Sequence, residues 1–158
     1  LINAIIKQRS IKTEEEINEI RSALDITNLM HLKAMKSSSP GKYEYEIVAE
    51  MEKIIRSKAV DLAYPIIFTK NGQVLHNSVY HNKILDGDLL LNDSGANSSM
   101  HYASDITRTF PANGKFSNLE KFFCLTDVNN ESSSNVFFVV IFSEENIFSV
   151  KKYTTLLI

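Results

Sequence analysis

At 158 residues, with 44% apolar and 23% charged side chains, the chain is long enough to bury one ordinary core and has the composition of a globular domain. A net charge of -2, with lysines and arginines scattered among the acids, leaves no basic footprint for nucleic acid. A single cysteine, Cys124, has no internal disulfide partner, so a reducing cytoplasm is the expected compartment.

The chain opens on Leu1 rather than methionine, so the start of the protein is expected upstream. Residues 1–6 are too short and wrongly flanked for a signal or spanning segment. Thr13 followed by Glu14, Glu15 and Glu16 predicts a helix start, because the hydroxyl can cap a free N–H while Glu16 reaches back and the acids suit the helix dipole. Ile17, Ile20, Leu24, Asn28, His31 and Met35 then recur at helical spacing. Leu29 and Leu32 widen the stripe until Ser37, Ser38, Ser39, Pro40 and Gly41 stop it. A second helix is predicted from near Tyr43 to about Lys58. It sets Ile47, Val48, Met51, Ile54 and Ile55 against Glu44, Glu50, Glu52 and Lys53.

After Pro65 the pattern becomes β-like. Ile66, Ile67, Phe68 and Thr69 predict a short strand closed by the Asn71-Gly72 turn. Asp86-Gly87 marks another turn, residues 88–93 predict a buried strand entering the Ser94-Gly95 bend, and a partner strand is expected from about His101 to Thr109. Two helices followed by strands imply an α+β domain, helices packed on an antiparallel sheet. From residue 122 onward there is no glycine, proline or histidine, and Asn/Ser patches such as 129–134 surround apolar runs such as 136–142. That run is far below the roughly 20 residues of a membrane helix, so no membrane partner is expected. Residues 1–123 therefore read as one unit and 124–158 as an anomalous tail, disordered or misjoined.

The chemistry concentrates around Asp93 and Asp105. A hairpin turning near Ser99 would place them opposite one another, with Cβ atoms about 4.5–5.5 Å apart, where like charges repel unless something positive sits between them. Converging carboxylates are the oxygen-rich half of a site for one or two divalent cations about 3.5–4 Å apart, where a bridging water can become hydroxide. Oxygen ligands favour Mn or Mg, and added histidine would admit Co or Zn. By themselves, two aspartates beside a turn are more commonly solvated groups or loop hydrogen-bonders. A lone histidine such as His76, beside a turn, is by itself more commonly a surface or core hydrogen-bonder. His81 reads equally as a cleft or a loop residue, His31 as a packed core histidine, His101 as a turn residue and Arg108 as a strand-holding cation.

Asp93-Ser94-Gly95-Ala96, the run from Tyr102 through Asp105 to Pro111, and the Asn113-Gly114-Lys115-Phe116-Ser117 segment together resemble the metal-binding hairpin of the Xaa-Pro aminopeptidases (aminopeptidase P) and prolidases. Upstream, Pro65-Ile66-Ile67, Asn71-Gly72, Leu75-His76-Asn77 and Asp86-Gly87-Asp88 follow the family's order, and the segment from Ile11 to Ile17 resembles the helix that opens its catalytic domain. The resemblance implies the N-terminal half of a pita-bread fold around two divalent metal ions, usually manganese, with Co or Zn as alternatives. By motif, Asp93 matches a ligand of one metal, Asp105 the carboxylate bridging both, and His76 the histidine that stabilises the tetrahedral intermediate. The implied substrate is a peptide with proline at its second position, and the full-length protein has room to form a homo-oligomer.

The interval from Asp93 to Asp105 is one residue longer than the family's common version, an insertion that Asn97, Ser98 or Ser99 can absorb. The family completes its site with a histidine and two glutamates from its second half. No histidine follows His101 here, and Glu131, Glu144 and Glu145 lack the family's surrounding motifs. The chain as given is therefore expected to be inactive. Three alternatives stand beside the Xaa-Pro aminopeptidase reading: a prolidase acting on Xaa-Pro dipeptides, a non-catalytic pita-bread-derived binding module, and a truncated or misjoined product whose family sequence ends near Phe123.

Overall fold

The structure, a computed structural model, describes residues 1–74 and 76–117. The tail expected at 124–158, with Cys124 and the three glutamates noted above, lies outside them.

Helix α1 (Ile2–Ser10) is followed by α2 (Glu14–Ser37) and α3 (Glu44–Ser57), then by strands β1 (Ile67–Thr69), β2 (Leu89–Ser94) and β3 (Ile106–Pro111). Helix α1 was not expected; Ile2, Ile5 and Ile6 lie at helical spacing, but none of its residues is buried. Helix α2 starts where the capping box predicts. The Thr13 N–H donates to Glu16 Oε2 (2.7 Å) and the Glu16 N–H to Thr13 Oγ1 (3.3 Å). Glu16 Oε1 also accepts from the Tyr102 hydroxyl at 3.0 Å, which fastens the start of α2 to the tip of a distant hairpin. At α3, Glu46 Oε2 accepts from the Tyr43 N–H at 2.7 Å, and Lys58 closes the helix as predicted.

The three strands form one antiparallel sheet in the order β1-β2-β3. Alternation along β2 divides its residues: Leu90, Asn92 and Ser94 are buried toward the helices, while Leu89, Leu91 and Asp93 take the opposite face. Met30, Ala34, Ile47, Met51 and Ile55 from the helices and Ile66, Phe68, Leu90 and Phe110 from the sheet make the core.

One polar group is built into this helix–sheet interface. His31 is only 4% exposed, and its Nδ1 accepts from Asn92 Nδ2 (3.1 Å) while Nε2 faces the Ser94 carbonyl (3.4 Å) and Oγ (3.3 Å). Those contacts require the neutral ring with its hydrogen on Nε2. Burial pushes the His31 pKa down to about 4, and the charge of Arg108 acts in the same direction. His31 thus ties α2 to the two residues that flank Asp93.

A pKa depressed below the unfolded value means that the unfolded chain takes up a proton where the folded one does not. The stability that neutral His31 provides is therefore complete above about pH 6.5 and declines as pH falls toward about 4, by roughly 3 kcal/mol in all. Urea midpoints measured from pH 7 to pH 4 should fall across this window, and a His31→Gln variant should show a flatter slope.

Candidate metal centre

The sheet continues beyond its regular strands in one register. Asp93 pairs with Thr107 and Ser94 with Ile106, and after them Ala96 accepts from the Ser104 N–H at 3.0 Å and Asn97 bridges Ala103. The turn closes where the His101 N–H donates to the Ser98 carbonyl (3.0 Å), with His101 in the left-handed region at φ 62°. A three-residue loop ending in a left-handed residue suits the twist of a hairpin. Its centre is Met100, one residue beyond the expected Ser99. The partner of Asp93 is therefore Thr107, two residues from the expected Asp105. A shift of two preserves the face, so Asp93 and Asp105 still lie on the same side of the sheet.

Gly95 makes the close approach possible. A Cβ built there would lie 1.8 Å from the Ser104 carbonyl oxygen and 3.2 Å from the Tyr64 ring, so no other residue fits without displacing main chain. Ser104 is in turn held from below. Its Oγ lies 2.6 Å from Thr27 Oγ1 on α2 and 2.9 Å from the Ala96 carbonyl, while the Ala96 N–H donates to Thr27 Oγ1 (2.9 Å). This buried hydroxyl pair locks the backbone immediately before Asp105.

The two carboxylates meet at one phenol. Tyr64 Oη lies 2.6 Å from Asp93 Oδ1 and 2.7 Å from Asp105 Oδ1. A phenol has one hydrogen to donate, so it cannot satisfy both charges. Burial pushes the Asp93 carboxyl above its ordinary range and the charge of Asp105 adds to this, against hydrogen bonds from Tyr64 and Thr107. Burial and the same two carboxylates raise the Tyr64 pKa far enough to keep it protonated. Asp105 itself is exposed, so the pair opens to solvent on one side.

Converging carboxylate oxygens fit a hard divalent cation. They do so in part only, because no group of three or more His, Cys, Asp or Glu placed to hold a metal occurs among the described residues. His76 is not drawn to the pair. It lies in the loop after β1, exposed, with φ 55°, and no hydrogen bond joins it to another described residue. His81 is exposed in the same loop, His101 sits at the hairpin turn, and Arg108 donates to the Thr107 carbonyl at 2.7 Å. Tyr64 was missed by the sequence reading. Its one local signal is the following Pro65, which favours an extended backbone, and nothing in the sequence alone links it to a hairpin 29 residues away.

A family model described as metallopeptidase family M24 matches residues 18–133. An Xaa-Pro aminopeptidase of Haemophilus influenzae is 41% identical over 114 residues, covering 70% of this chain and 26% of that protein. Among solved structures, a zinc-substituted Escherichia coli aminopeptidase P in complex with product superposes with a TM-score of 0.69 at 35% identity, over 75% of this chain and 28% of that one. Proline aminopeptidase P II from Yersinia pestis gives a TM-score of 0.70 at 36% identity, over 77% and 29%. The α+β arrangement is thus part of the aminopeptidase P, or pita-bread, fold. The chain spans about a quarter of the length of the curated relatives it matches.

Tyr64→Phe removes the one hydrogen shared by the carboxylates and should cost about 1–3 kcal/mol in urea denaturation with chelator present. Asp93→Asn removes a partly buried charge from beside Asp105 and should raise the denaturation midpoint at neutral pH. The opposite signs would show that the pair is not strained in the absence of a cation.

Proposed function

Because this chain belongs to metallopeptidase family M24, we propose that it supplies the aspartate half of an Xaa-Pro aminopeptidase site, in which Asp93 and Asp105 hold two divalent cations, manganese by preference. The observation that carries this reading is the convergence of both carboxylates on a single phenol oxygen. Two negative groups so placed are repulsive unless a cation or a proton lies between them. Divalent cations bound there supply an activated water and polarise a carbonyl.

The chain's own residues have separate tasks. Asp93, fixed within β2, would provide the rigid carboxylate, and Asp105, exposed just before β3, would provide the one the resemblance assigns to both cations. His76 approaches the substrate and donates to the developing oxyanion. The substrate is a peptide with proline at its second position. The rest of the ligand set comes from a second half, which the described residues do not include. On this reading, unit 1–123 belongs to the first half of the catalytic domain.

The assay is release of the N-terminal residue from an Xaa-Pro-Xaa tripeptide. The 158-residue chain alone should show no appreciable turnover with added manganese, and a protein completed with the second half should be active and chelator-sensitive. In the completed protein, Asp105→Asn should abolish turnover, and His76→Ala should lower kcat by about 10²–10³, as expected for one lost oxyanion donor. Robust turnover by the chain alone, or a completed protein that remains inert, would overturn the reading.

A further inference from the structure

Residues 70–83 leave β1 and return toward β2 with no regular helix or strand among the described positions, and His76 lies within them at φ 55°. A left-handed backbone is costly for any residue with a Cβ, and it persists only where its surroundings over-determine it. Among the loop's described residues, Val74 and Val79 are about half exposed, while Tyr80 packs against the core. Hydrogen bonds from both ends of the loop add to that one apolar anchor.

Both ends of the loop meet one side chain. Glu44, the first residue of α3, is 0% exposed, although a carboxylate at a helix start is ordinarily solvated. Its Oε1 accepts from the Lys70 N–H at the loop's entry (2.9 Å), and Oε1 and Oε2 accept from Asn82 Nδ2 at the loop's exit (3.1 and 3.0 Å). The Glu44 N–H donates to the Asn82 carbonyl at 3.1 Å, which makes the joint two-sided. Lys70 Nζ spans the same gap by bonding the Lys83 carbonyl (3.2 Å) and Asp88 (2.8 Å). Inside the loop, Asn77 Nδ2 bridges the carbonyls of Phe68 (3.0 Å) and Val79 (3.3 Å), and the Tyr80 hydroxyl donates to the Ile66 carbonyl.

Two donors, the Lys70 N–H and the Asn82 amide nitrogen shared between both oxygens, make three contacts with one buried group and favour an acceptor-only side chain. A carboxylate accepts all of them, whereas a carboxamide would turn an N–H toward one of the donors. We propose that Glu44 is a positioning residue for His76: it closes the loop 70–82 from both ends and so fixes the left-handed backbone that presents the imidazole. The proposal rests on the reading of His76 as the oxyanion-side group. Glu44 touches neither substrate nor cations and acts only through the loop.

Two variants test it, Glu44→Gln, which keeps the shape, and Asn82→Ala, which cuts one loop end without altering α3. In the 158-residue chain, amides within residues 72–82 should exchange about tenfold or more faster in either variant, while those of α2 keep their rates. Unchanged loop exchange in a folded variant overturns the proposal, whatever the activity. In the completed protein, each variant should lower kcat on the tripeptide by about 10- to 100-fold with KM little changed. Neither should cause any further loss in a His76→Ala background. An equal loss in that background would mean that Glu44 acts on stability rather than through His76. Should the unmutated completed protein fail to cleave, the Xaa-Pro reading falls, and faster exchange confined to the loop would still support Glu44 as its anchor.

Discussion

At Gly95 two stretches of main chain come too close for any side chain to separate them, and the geometry of the candidate site follows from that contact. The Ser104 carbonyl occupies the space where a Cβ would stand, 1.8 Å from its ideal position. Ser104 can remain there because its hydroxyl is bound to Thr27 of α2 and to Ala96 across the hairpin. Asp105 follows directly in sequence, so its direction is set by backbone and buried hydroxyls rather than by a flexible tether. The spacing of the two carboxylates is thereby established before any ligand arrives.

This arrangement strains the fold locally. Asp93 is raised in pKa by burial and by its neighbour, and Tyr64 relieves the pair with only one hydrogen. The opposite face of the same strand compensates. Asn92 and Ser94, on either side of Asp93, are buried and bound to His31, which is held neutral. One strand thus carries an unresolved negative pair on its outer face and a hydrogen-bonded polar layer beneath it. The pleat permits both, since alternate residues share no face.

Much of this was legible in the sequence, for identifiable reasons. Helix α2 announced itself through Thr13 and Glu16, whose reciprocal bonds are local, and α3 through a stripe of Ile47, Val48, Met51 and Ile55. The leucine run before Asp93 gave the central strand, and the face shared by the two aspartates survived an error of register because a slip of two residues conserves parity. The register itself was not legible. It depends on His101 adopting a left-handed φ, which a sequence of Asn, Ser and Met around the turn does not specify. Tyr64 and Thr27 escaped for a different reason: their partners are distant in sequence, and a hydroxyl finds its role only after the chain has folded around it. Helix α1 was missed because it buries nothing and so carries no amphipathic demand that tertiary packing must satisfy.

Asp93 and His76 differ in how their positions are secured. The aspartate sits within a central strand, paired on both sides, where displacement would require breaking ladder hydrogen bonds with β1 and β3 at once. The histidine sits on a loop that Glu44 joins from α3 and that its own Lys70, Asn77 and Tyr80 tie to neighbouring main chain and to Asp88. A group that holds a cation benefits from the first kind of support, because a ligand distance tolerates little error. The role proposed for His76, to meet a substrate and donate to it, suits the second, because a loop can yield locally while its anchors stay fixed. The burial of Glu44 at a helix start, which stability alone does not favour, is understandable as the means by which an irregular segment is given the accuracy of the sheet beside it.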